Sequence, residues 1–412
     1  MTGSVRRTRA RVLPLGVKVG LALTAALAVT ATLAPAPALA STSTPLLGWG
    51  GNGAGQVGDA TTKVRSQPVA VVTAAATFTQ IASGLRFSLA LTTDGQLMAW
   101  GDNSLGQLGL GTASAGSRVP VAVAMPDGAA VVAIAAGPSH ALAVTALGDV
   151  YGWGQNDHGE TGTGPVSPYV ATPKPVSMPA GVTATAVAGG EGYSLALTSA
   201  GAVLVWGLNG HGQFGNGTTD KNVISTSPVL VSLPPGTVVT AIGAGDHSEA
   251  LTLAGQVLSW GDNGGCQLGN GLVNAVGSPV PVSVLLPAGT TATAIADNTG
   301  HSFAVLSDGR VVGWGIDSAG QLGDGTTVRC RATPAFVQLP AGAQAVSLAA
   351  GGLDGFALTA DGAIYAWGAN SNGRLGDGTT INRPVPVAVA LPAGVTATAI
   401  AAGGQHAMAI TG

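Results

Sequence analysis

Seven Trp-Gly pairs recur along the chain at nearly constant spacing, and this periodicity narrows the available folds more than any other feature. The tryptophans are Trp49, Trp100, Trp153, Trp206, Trp260, Trp314 and Trp367, with neighbours 51 to 54 residues apart. Three positions after each Trp stands Asn or, once, Asp: Asn52, Asn103, Asn156, Asn209, Asn263, Asp317 and Asn370. Nine positions after it stands Gly: Gly58, Gly109, Gly162, Gly215, Gly269, Gly323 and Gly376. A long-period repeat across most of a chain marks a repeat architecture, built of units that bury a core only against their neighbours.

Each unit reads as short strands. A segment such as Val385-Pro-Val-Ala-Val runs into a Leu-Pro-Ala-Gly turn, and a small-residue strand follows, as in Ala399-Ile-Ala-Ala-Gly. An apolar strand such as Ser302-Phe-Ala-Val-Leu comes next, then an Asp-Gly hairpin turn (Asp94-Gly95, Asp308-Gly309, Asp361-Gly362). The strand after that turn ends at Trp-Gly. Four strands in a unit of about 53 residues make one propeller blade. The expected fold is all-β, a seven-bladed β-propeller.

Ten residues before each of the last six tryptophans lies an alanine: Ala90, Ala143, Ala196, Ala250, Ala304 and Ala357. The preceding residue is large and apolar in five units (Leu89, Leu142, Leu195, Phe303, Phe356). Alternating small and large neighbours suit a sheet packed on two different faces. The ends of the chain complement each other. Pro45-Leu-Leu-Gly-Trp49-Gly is the tail of a unit, and Ala401 to Thr411 is the head of one. The N-terminal strand is therefore expected to pair with the C-terminal strands in a single blade, which removes open sheet edges.

The first 40 residues read differently. Arg6, Arg7, Arg9, Arg11 and Lys18 precede an Ala/Leu-rich stretch from about Val19 to Ala34, and Ala38-Leu39-Ala40 fits a small-x-small cleavage site. Residues 1–40 are read as a signal peptide and 41–412 as the propeller domain, with an uncleaved N-terminal anchor as the alternative. The apolar run is short for a membrane span, and no span is expected in the mature chain. Removing the leader leaves 11 basic against 19 acidic residues, a net charge of −8, with no basic cluster. Phosphate-backbone binding needs clustered Lys and Arg, so nucleic acid is not an expected partner. The expected location is outside the cell or on its surface.

The unit resembles that of the regulator of chromosome condensation repeat family. Gly300-His-Ser-Phe-Ala-Val-Leu-Ser-Asp-Gly309, Gly313-Trp-Gly-Ile-Asp-Ser-Ala-Gly-Gln-Leu-Gly323 and Trp367-Gly-Ala-Asn-Ser-Asn-Gly-Arg-Leu-Gly-Asp-Gly378 carry the resemblance, which extends over roughly residues 45–412. It implies a seven-bladed propeller. The family's nuclear member is a nucleotide-exchange factor for a small GTPase, a role at odds with a leader, an acidic chain and the absence of a long inserted hairpin. A secreted bacterial member inhibits β-lactamase, which implies binding through an aromatic-rich loop face. Here all seven Trp occupy the repeat position, leaving Tyr169 and Phe336 as aromatics expected outside the strands.

Departures from the repeat supply the candidate sites. His140, His247, His301 and His406 sit at the family's His position, with Phe87, Tyr193 and Asp354 as equivalents. They are read as structural, bonding backbone within each blade, since a symmetric metal ring would be incomplete. His158 and His211 fall in loops after a Trp and, with Tyr169, are candidate contacts. Glu249 replaces the large apolar residue. It is expected either to be buried with a raised pKa or to face the central channel. Cys266 takes a place held by Gly in the other six units, and with Cys330 it is read as one disulfide or two free thiols. Gly53-Ala-Gly-Gln-Val-Gly58 matches a dinucleotide fingerprint but opens no helix, so it is a chance match. The Asp324-Gly325 and Asp377-Gly378 loops lack the acidic run of a calcium site, and no local hydrolase signature is present. The expected protein is a non-catalytic monomer without cofactor that binds another protein. The alternatives are an enzyme inhibitor of the same fold and a wall- or carbohydrate-binding module.

Overall fold

The computed structural model describes residues 46–73, 76–219, 223–273 and 277–412; the proposed leader, residues 1–40, lies outside the described residues. Among the described residues, twenty-eight strands form seven antiparallel four-stranded sheets. The first strands of successive sheets touch around a closed ring, which makes them the inner strands of seven propeller blades. Blades 1 to 6 begin at Phe78, Val131, Ala184, Val239, Ala292 and Ala345. Blade 7 joins Ala397–Ala402 and His406–Thr411 to Leu46–Gly50 and Arg65–Ala70. The expected closure is thus present, with two strands from each end of the chain. Leu47 faces Ala409 and Trp49 faces Ala407.

The repeat positions explain themselves in three dimensions. Every Trp is fully buried, and its indole N–H donates to a backbone carbonyl of the preceding blade at 2.8–3.0 Å. Trp49 donates to Arg374 and so closes the ring between the two ends of the chain. The Gly after each Trp has φ of 97–101°, at a register shift against the outermost strand. At Gly101 a Cβ would stand 2.5 Å from the Arg86 carbonyl oxygen, so a side chain is excluded there. The Asn or Asp three residues after Trp accepts the backbone N–H of the residue five positions on, at 2.9–3.3 Å in all seven blades.

Alternate residues of the second strand serve opposite neighbours. In blade 1, Leu89 packs with Ala141, Ala143 and Trp153 of blade 2, whereas Ala90 packs with Met408 and Ile410 of blade 7. The alanine series lies beside each blade's own tryptophan on the face turned to the preceding blade, and Ala409 is its seventh member.

The histidines correct one expectation. They bond across blades rather than within them. His140 meets Ser194, His247 meets Ser302, and His406 meets Ser88, each through Nε2 at 2.8–2.9 Å. His301 Nε2 donates to the Asp354 carbonyl oxygen at 3.0 Å. The ring is fully buried in each case, so a neutral imidazole linking two blades is the stable arrangement. Burial pushes His140, His301 and His406 down to about 4. No helix among the described residues is long and apolar enough to cross a membrane.

Candidate functional site

Antiparallel topology sends the turns between first and second strands to the same edge of each blade as the long loops that follow Trp-Gly. The second-to-third-strand hairpins go to the opposite edge. The Trp-loop face carries the exposed apolar residues Leu85, Val166, Tyr169, Leu272, Val273 and Ile381. Its centre is a cavity of about 260 Å³, walled by the ends of the inner strands of all seven blades. Most of the wall is small or apolar (Gly84, Gly137, Gly190, Gly245, Gly403). Blade 5 instead contributes Asp297, Asn298 and Thr299, and Glu191 adds a second carboxylate. A wider depression at the opposite edge of blade 1 is lined mainly by Val72, Thr73, Phe78, Thr92 and Asp94; a single charged group gives it little chemistry.

The candidate residues fall in several places. His158 is half-buried, its ring 3.2 Å from Asp157 and its backbone N–H donating to Glu160 at 2.8 Å. His211 is exposed, with its ring 3.6 Å from Asp262 of blade 4. Tyr169 is exposed, and it begins the outermost strand of blade 2, Tyr169–Pro175. Phe336 ends the outermost strand of blade 5, Cys330–Phe336, under the Arg310 guanidinium at 4.3 Å. Both aromatics therefore lie on strands, contrary to expectation, because the outermost strand extends further into the flanking polar segments than apolar alternation suggests. Cys266 and Cys330 form a disulfide between the Trp loop of blade 4 and the outermost strand of blade 5. Cys266 has φ of 64°, the left-handed region that explains glycine in the other six units.

Glu249 is on the second strand of blade 4 and wholly buried. It takes the buried alternative of the two expectations. Burial pushes its carboxyl up to about 8, and Ser302 and Trp314 of blade 5 relieve this only in part. His247 stands 3.3 Å away, and its Nε2 also meets Ser302 Oγ at 2.8 Å. Asp297, at the end of the blade 5 inner strand, completes the group. Burial, and then the charge of Glu249, push it up to about 8 as well. One ligand atom from each of His247, Glu249 and Asp297 lies within 4.8 Å of the others. Asp246, the chain neighbour of His247, is raised to about 6 by burial and then by Glu191.

Two further buried charges were missed in the sequence. Arg374 occupies the place of Gln56, Gln107, Gln213, Gln267 and Gln321. Its Nε lies 3.8 Å from Asp354, which burial raises to about 7 against the pull of the arginine. Glu160 fills the same place in blade 2, and burial raises it to about 7. The available signal was a position-by-position comparison of the units, since each of these residues is an exception to its own column.

With this geometry in view, the chain's relationships are clear. Residues 24–352 match the RCC1-like domain, and residues 361–410 match the regulator of chromosome condensation (RCC1) repeat. The chain belongs to the family of RCC1-like propellers. The human E3 ubiquitin-protein ligase HERC2 is 32% identical over 89% of this chain, and the chain spans 8% of that protein's length. The Arabidopsis thaliana ultraviolet-B receptor UVR8 is 30% identical over 80% of the chain and 74% of its own length. Among solved structures, human WBSCR16 superposes with a TM-score of 0.80 at 22% identity, covering 89% of this chain and 98% of that one. Prp20p of Saccharomyces cerevisiae gives 0.79 at 22% identity, over 89% and 91%. These two likenesses establish the fold.

Proposed function

We propose that this protein is an exported, non-catalytic scaffold that binds another protein through its Trp-loop face. The observation that carries this reading is the placement of its surface features. The long loops, the exposed Tyr169, Leu272, Val273 and Ile381, and the central cavity share one face, while all seven tryptophans are buried in the frame. A rigid ring presenting many loops on one side suits multi-point recognition. Apolar and aromatic side chains exposed among polar rims are the usual anchors of such interfaces. The family supports a protein partner. The structural study of Prp20p describes its binding to Gsp1p and histones, and another structure shows yeast RCC1 bound to Kap60. Export rests on the basic, then apolar, then small-residue pattern of residues 1–40.

The test is affinity capture from culture supernatant with three forms of the mature chain. These are the wild type, a Tyr169→Ala/Leu272→Asp variant, and a Leu147→Asp/Leu253→Asp variant altered on the opposite face. Recovery of one protein by the first and third forms and its loss with the second is the expected result. Capture unaffected by the Trp-loop variant overturns the choice of face. Retention on purified cell wall, or accumulation of the natural protein only in the cytoplasm, overturns the function.

A further inference from the structure

The seam between blades 4 and 5 departs from the repeat at several positions that converge on one point. Gly243 stands where the other six blades carry alanine (Ala82, Ala135, Ala188, Ala296, Ala349, Ala401). Glu249 stands where they carry leucine, phenylalanine or methionine, and Asp297 where they carry serine, alanine or glycine. These substitutions fit one another. A Cβ on Gly243 would lie 2.1 Å from Asp297 Oδ1, so the missing methyl makes room for the carboxylate. Glu249 points across the seam to Ser302 and Trp314, where a leucine would have packed on the indole. The result is an imidazole and two carboxylates with one ligand atom each inside 4.8 Å.

The polar atoms of this group are not used up by the protein. His247 Nδ1, Glu249 Oε2 and Asp297 Oδ2 are all shut off from solvent and have no hydrogen-bond partner. His247 and Glu249 are completely buried. An orphaned buried polar atom is destabilising, and two carboxylate oxygens left so beside one imidazole by coordinated changes call for a common partner. That partner is cationic, because the two carboxylates repel each other. The approach is open, since Asp297 also lines the central cavity.

We propose that His247, Glu249 and Asp297 form a divalent-cation site that ties blade 4 to blade 5 at the wall of the central cavity. One imidazole nitrogen with two carboxylate oxygens is the donor set of a first-row metal such as Zn²⁺, and all-oxygen cages suit Ca²⁺ and Mg²⁺. Three protein ligands leave a position for Ser302 Oγ, which already bonds His247, or for a water from the cavity. The cation and the Cys266–Cys330 disulfide would then fasten the same seam at different radii of the ring.

Isothermal titration of the chelator-stripped full chain with Zn²⁺ tests this, alongside thermal melting with and without the metal. The variants are Glu249→Leu and Asp297→Ala, which restore residue types of the other blades, together with Gly243→Ala and the near-isosteric Glu249→Gln. Asp157→Asn serves as a control for the second such group, the exposed Asp157 with His158 and Glu160. The expected result is a Zn²⁺ equivalent that raises the melting temperature. It persists in Asp157→Asn and weakens at least tenfold in every seam variant that melts cooperatively. Absence of Zn²⁺ binding by the wild type, a response to Ca²⁺ but not to Zn²⁺, or unchanged binding in Glu249→Gln and Asp297→Ala overturns the proposal.

Discussion

Replacing Glu249 with leucine should stabilise this protein, and the gain should depend steeply on pH. Glu249 is wholly buried and its carboxyl is pushed from 4.5 up to about 8. The native state therefore holds a proton that the unfolded chain releases as pH rises above 4.5. Stability from this group is fully present below that pH and is lost as pH climbs through 8. At about 1.4 kcal/mol per pH unit, the rise corresponds to a penalty of about 5 kcal/mol at pH 9. Relaxation of the seam lowers that figure, and about 3–5 kcal/mol is the expected size. Asp297 titrates together with Glu249, so the two behave as a pair. Leucine is the residue at this place in blades 1 to 3 (Leu89, Leu142, Leu195), and its packing gain is independent of pH. Urea denaturation of the wild type and Glu249→Leu from pH 4 to 9, with chelator throughout, separates the contributions. The difference in unfolding free energy should be small near pH 4 and grow by about 3 kcal/mol or more by pH 9. A difference that stays constant within about 1 kcal/mol across that range refutes the burial reasoning.

Arg374→Gln leaves Asp354 buried without the cation now 3.8 Å away and should cost about 3–5 kcal/mol. Adding Asp354→His, which restores the commoner residue at that place, should recover most of the loss in a double-mutant cycle. Reducing Cys266–Cys330 opens a crosslink spanning 64 residues, and a drop of up to about 4 kcal/mol is expected from denatured-state entropy. With Cys330→Ala in both, Cys266→Gly should be more stable than Cys266→Ala by about 1 kcal/mol, because only glycine accepts φ of 64° freely. Trp49→Phe removes the bond to the Arg374 carbonyl. It should lower the melting temperature through a lost hydrogen bond of about 1 kcal/mol and an unfilled volume beside Phe356; an unchanged melting curve would show that the ends do not need this contact.

The sequence by itself determined the frame. The Trp-Gly spacing set seven blades, because each indole must bury its ring and find an acceptor, and the repeat supplies one in the preceding unit. The split unit at the two ends set the closure, because its halves complete each other. The columns of Asn, Ala and Gly were readable for the same reason, since each meets a local need that recurs seven times. Only the tertiary structure decided what the exceptions do. The His column is compatible with bonds inside a blade or across to the next, and the side-chain direction on the second strand selects the next blade. Glu249 looked like an isolated oddity because its partners are His247 on its own strand and Asp297 some fifty residues on. Gly243 differs from the alanine of the other six blades by one methyl, a change whose consequence shows only where Asp297 is brought against it. These positions become a site only when two blades are brought face to face. Contact across a seam depends on the ring, and the periodicity that reveals the ring is silent about what meets at any one seam.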